Sequence, residues 1–109
     1  MTGMTGNQSG GESRNPPPLL TRIRVPERVL MRQVGEEMVM LNLDEENYYG
    51  LNAVGARLMQ IAENGATLEH IVEQLLTEFD VARAQLEIDV RQISAELIAI
   101  GLLDEDSAR

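Results

Sequence analysis

The sequence predicts an α+β domain, a three-stranded antiparallel meander followed by three helices. Three observations carry that expectation. Between residues 29 and 52 the apolar residues fall in short runs rich in β-branched, Met and Tyr side chains, separated by turn signals. From Asn52 onward the apolar spacing becomes three and four, the period of a helix. The two connections inside the first half are so short that consecutive strands must pair antiparallel.

Ahead of the first strand, residues 1–18 (MTGMTGNQSGGESRNPPP) are rich in Gly, Ser, Thr, Asn and Pro, with no apolar period. Such a stretch cannot bury enough surface to offset its ordering entropy, so residues 1–21 are read as a disordered arm. The strands follow at residues 29–34, 37–44 and 47–52, divided by Gly35-Glu36 and by the acidic turn around Asp44-Glu45-Glu46-Asn47. In the middle strand Val39, Leu41 and Leu43 share a face and are the expected core side. Met38 and Met40 share the other with Asn42 and Asp44, which points to partial exposure.

Asn52 is the expected N-cap of the first helix, with Val54, Leu58 and Ile61 as its stripe and Asn64-Gly65 as its stop. Thr67 caps the second, whose apolar positions are Leu68, Ile71, Val72, Leu75, Leu76 and Phe79. The third helix starts at Asp80 or a neighbour and runs to about Gly101. It has two stripes: Leu86, Val90, Ile93, Leu97 and Ile100 on one side, and Ala84, Ile88, Ala95, Ile98 and Leu102 opposite. Either this helix is sandwiched, or one stripe lines a groove or a self-association surface, which is compatible with a homodimer. Residues 104–109 read as an acidic, solvated tail, leaving 22–103 as the folded domain.

Chemistry is hard to find. Of 109 residues none is Cys, none is Lys and only His70 is a histidine. Thiolate metal sites, disulfides and Schiff-base lysines are therefore excluded, no Ser-His-Asp set is recognisable around the single His70, and no Gly-rich phosphate loop precedes a helix. The expectation is a protein that is not an enzyme and carries no metal or other cofactor. No run reaches the length of a membrane span and no signal-peptide core is present, so a soluble cytoplasmic protein without membrane partners is expected.

Net charge is −9. Residues 1–32 carry five Arg against Glu12 and Glu27, whereas residues 33–109 carry four Arg against sixteen carboxylates. A body this acidic repels phosphate backbones and favours basic or neutral partners.

Strands followed by three helices make a winged helix-turn-helix-like order, and the residues bear a family resemblance. The run Tyr48-Tyr49-Gly50-Leu51-Asn52-Ala53-Val54-Gly55-Ala56 comes first, then Ala62-Glu63-Asn64-Gly65 and Thr67-Leu68-Glu69. Phe79-Asp80-Val81, Asp89-Val90, Leu97 and Gly101-Leu102-Leu103 follow. Taken in order, these pieces resemble the PqqD-like family, or RiPP recognition elements, from about residue 29 to 103.

The resemblance implies a module that binds the leader of a ribosomally made precursor peptide and passes it to a modifying enzyme or leader peptidase. It implies a leader added beside the third strand and a pocket between that strand and the third helix. Carried over to this chain, the pocket would use Tyr48, Tyr49, Gly50 and Leu51 on the strand, with Asp89, Gln92, Ile93 and Glu96 on the helix. Where the quinone-pathway prototype has a Pro-Glu pair, this chain has Glu45-Glu46-Asn47. That departure is more similar to stand-alone modules of lasso-peptide and radical-SAM clusters, implying a radical SAM enzyme or a lasso leader peptidase and cyclase as partner. The competing expectation is a winged-helix DNA-binding regulator. It would need a basic third helix, yet Arg83 and Arg91 there face Glu87, Asp89 and Glu96.

Overall fold

A computed structural model of the chain describes residues 16–106. In chain order its elements are β1 (Arg22–Arg24), β2 (Val29–Val34), β3 (Glu37–Asn42), β4 (Asn47–Leu51), α1 (Ala53–Ile61), a short 3-10 turn, β5 (Ala66–Thr67), α2 (Leu68–Leu76), α3 (Arg83–Ala99) and β6 (Asp104–Glu105). The class is mixed α+β, with antiparallel sheets and three helices.

Two turns fix the register of the larger sheet, ordered β2-β3-β4. Gly35 takes a positive φ of 62° between the paired Val34 and Glu37, as the first central position of a type II′ hairpin requires. At the other end Asn42 folds its side chain back, its Oδ1 accepting from the N–H of Asp44 at 3.0 Å and of Glu45 at 3.3 Å. Glu46 completes that turn in the left-handed region.

This register reverses the core face expected from the sequence. Met38, Met40 and Asn42 are the buried residues of β3, with Met40 fully enclosed. Val39 and Leu41 lie half-buried on the outer face, and Leu43 has left the strand and is exposed. The reason is physical. Both faces of β3 are apolar, so alternation alone gives no sign. Asn42, the residue that suggested exposure, is buried because its carbonyl oxygen is satisfied within the turn. Flexible Met side chains then fill the irregular gap against the helices.

The helix caps fall where the sequence places two of them. Asn52 accepts from the Gly55 N–H at 2.8 Å, and Thr67 from the His70 N–H at 3.1 Å. The third helix starts later than expected, at Arg83, behind an Ala82 N-cap with no side-chain bond. Its first stripe is the core side: Leu86, Val90 and Leu97 are buried and Ile93 partly so, while Ile100 ends exposed. The opposite stripe is divided. Ile98 and Leu102 reach the core, but Ile88 is exposed. Ser94 is fully buried on the core side, and its hydroxyl finds no partner among the described residues. Arg57 clasps Glu78 through two bonds of 2.8 and 2.9 Å, tying α1 to the end of α2 and holding the Glu78 carboxyl below its ordinary pKa.

A second sheet, ordered β5-β1-β6, has strands too short to read from sequence. It brings Ile23, fully buried, between Ala66 and Glu105. Residues 104–106, grouped by charge with a solvated tail, are paired instead: Asp104 meets Arg28 at 3.2 Å and Asp106 meets Arg22 at 3.5 Å. The arginine-rich start and the acidic end of the domain thus offset each other. Of the arm expected over residues 1–21, positions 1–15 lie outside the described residues. From Pro16 onward the chain is held, with Arg91 donating to the carbonyls of Pro17 and Pro16 and Leu19 packed on the core.

Candidate functional site

Hydrogen bonds join β4 to β3 alone, so among the described residues its other edge carries unpaired N–H and C=O groups. Strand alternation then sorts the four candidate residues of β4 onto two faces. Tyr49 pairs with Met40 and Leu51 with Met38, which places both on the inner face, partly buried against the core. Tyr48 pairs with Leu41 and Gly50 with Val39, which places both on the outer face. Tyr48 is 74% exposed, and no atom lies within 4 Å of where a Cβ on Gly50 would sit.

The helix candidates share one flank of α3. Ile93 packs partly on the core, Asp89 is half-buried, and Gln92 and Glu96 are exposed. The Asp89 carboxylate accepts from Gln85 Nε2 at 2.9 Å, and neither it nor Glu96 has an ion-pair partner among the described residues. At 100° per residue Arg91 projects from the other flank, the one covered by residues 16–19. One side of α3 is therefore strapped and the other left open. Tyr49, Leu51 and Ile93 each pack partly against the common core, whereas Tyr48 and Gly50 lie on the outer face of the sheet. A single groove against α3 does not take in all eight candidates.

Sequence reasoning missed the outer face. Leu30, Arg32, Val34, Val39, Leu41 and Tyr48 line a hollow of about 240 Å³ there, with Leu30 41% and Val34 57% exposed. The signal lies in the two-sided apolar pattern of β3, of which the sequence expects one face, Val39, Leu41 and Leu43, to be core. Two larger and more polar hollows, of about 700 and 400 Å³, lie beside β2 and at the start of α1. Both are bordered by Gln33, Met38 and Gln60, and the second reaches Leu51 at the end of β4.

Among the described residues no group of three or more His, Cys, Asp or Glu side chains is placed to hold a metal. No described helix is long and apolar enough to cross a membrane. Both arginines of α3 are engaged: Arg83 with Glu73 at 2.7 Å and Glu87 at 2.9 Å, Arg91 with the Pro carbonyls. That leaves α3 without a free cation for phosphate contacts.

Fold and site together define a small α+β domain that offers a sheet edge and an open helix flank. The profile of the family described as coenzyme PQQ synthesis protein D (PqqD) matches residues 37–103, more than half of the chain. The chain belongs to the PqqD family.

Among solved structures it is similar to TbiB1 in complex with the TbiA(beta) leader peptide. The two are 29% identical over 79% of this chain and 98% of that one, with a TM-score of 0.68. It also shares the fold of a lasso peptide synthetase B1 complexed with the leader peptide, at 23% identity, 75% and 96% coverage and a TM-score of 0.67. No curated protein matches in sequence.

Proposed function

We propose that this protein binds the leader region of a ribosomally synthesised precursor peptide and delivers it to a modifying enzyme or leader peptidase, itself performing no catalysis. The observation that carries the reading is the free edge of β4, in a chain similar along nearly the whole of TbiB1, a protein solved with a leader peptide. The leader adds as a fourth strand to the β2-β3-β4 meander, within a winged helix-turn-helix-like domain. Backbone pairing supplies affinity with little sequence demand, and side chains beside the edge choose the partner.

An added strand has two faces, which is why the candidates on β4 need not all face α3. Its inward side chains meet Tyr49, Leu51 and Ile93, with Asp89, Gln92 and Glu96 along the wall. Its outward side chains meet Tyr48 and Gly50. The delivery partner is a radical SAM enzyme or a lasso leader peptidase and cyclase, and the cytoplasm is where such a precursor would be met.

Titrating fluorescent synthetic candidate leaders, beginning with the TbiA(beta) leader peptide seen with the similar TbiB1, tests the reading. Gly50→Pro removes a backbone donor from the edge strand and is expected to abolish binding. Unchanged affinity in a folded Gly50→Pro protein would count against strand addition.

A further inference from the structure

On the outer face the three strands form cross-strand rows. One row runs Leu30, Leu41, Tyr48; the next runs Arg32, Val39, Gly50. The first row ends at the edge in a large, exposed ring. The second ends in nothing, since a Cβ on Gly50 would have no neighbour within 4 Å. The result is a notch in the sheet margin beside Tyr48 and Val39, with open space around it, next to the hollow of about 240 Å³ that those two residues help to line.

Gly50 has no conformational need to be glycine. Its φ is not positive, whereas Gly35, Gly65 and Gly101 all have positive φ. Nor does any close approach within the domain exclude a side chain there. A glycine inside a strand weakens it, so its use at this edge calls for an approach from outside.

The notch opens sideways. A partner lying flat on the outer face would rest on Tyr48 and Leu30 and bridge it, while a strand running alongside β4, about 4.8 Å away, would enter it. An uncovered edge glycine is covered best by a large side chain leaning across from the neighbouring strand. Val39, Leu41 and Tyr48 beside it favour an apolar side chain, with Arg32 the one charged residue of the lining.

We propose that Gly50 is a specificity-determining position at which the bound leader sets one large apolar side chain on the outer face, across the glycine and against Val39 and Tyr48. This rests on the strand-addition reading above and adds to it a requirement on the leader. The site accepts leaders whose outward residue in that row is bulky and apolar, and it discriminates against small ones and, with Arg32 in the same row, against positively charged ones.

The test is a double-mutant cycle by calorimetry on the full chain. The probe is a synthetic leader peptide that the wild-type protein binds, beginning with the TbiA(beta) leader, together with its single-alanine variants. Gly50→Val fills the notch with a residue suited to strands, and circular dichroism checks that the fold is kept. The wild-type protein is expected to lose about tenfold in affinity at one outward leader position when that residue becomes Ala, the scale of one well-packed apolar contact. Gly50→Val is expected to bind the unaltered leader about tenfold more weakly, and to bind the leader with Ala at that position nearly as well as wild type does.

Equal losses in both proteins at every leader position would overturn the proposal while leaving strand addition standing. Absence of any leader binding by the wild type would overturn both. If Gly50→Val is unfolded, Gly50→Ala carries the same cycle with a smaller expected coupling.

Discussion

The two faces of the β2-β3-β4 sheet differ by one residue of register and by everything that follows from it. The inner face presents Met38, Met40 and Asn42 and is closed by the helices. The outer face presents Leu30, Val34, Val39, Leu41 and Tyr48 and is covered by nothing among the described residues. Both are apolar, so hydropathy does not tell them apart. They differ in what they are for. The inner face contributes stability, while the outer face leaves apolar area in water that adds little to the fold and is free to meet a ligand.

Substitutions can break this contrast. The largest expected effect is at Met40, where truncation to Ala leaves a hole in the enclosed core and should cost about 2–5 kcal/mol in denaturant unfolding. Asn42→Ala should cost about 1–3 kcal/mol, because two turn N–H groups lose their acceptor and the register of β4 on β3 depends on that turn. Tyr48→Ser on the outer face should change stability by no more than about 0.5 kcal/mol yet weaken leader binding about tenfold. If Tyr48→Ser destabilised the protein as much as Met40→Ala, the separation of the faces would be lost.

The same contrast marks what the sequence could and could not tell. Helix caps at Asn52 and Thr67 were legible because capping is local, and the order of strands and helices was legible because the period changes at one point. The core face of β3 was not. It depends on a buried Asn whose cost is cancelled by two bonds within the turn, and on a choice between Met and Leu or Val that tertiary packing makes. The β5-β1-β6 sheet was invisible for another reason: strands of two and three residues carry no period, and their partners lie some forty or eighty positions away. Of the candidate site, the residue types on β4 were legible, but not their division between two faces, which follows from the register.

The central claim is that a leader adds to the edge of β4 and not to that of β2. Amide hydrogen exchange, followed residue by residue with and without the synthetic leader, tests it most directly, since both strands are sheet edges in the same molecule. Saturating leader is expected to slow exchange among the edge-facing amides of residues 47–51 and to leave those of β2 unchanged. Protection of β2 with β4 unaffected would contradict it.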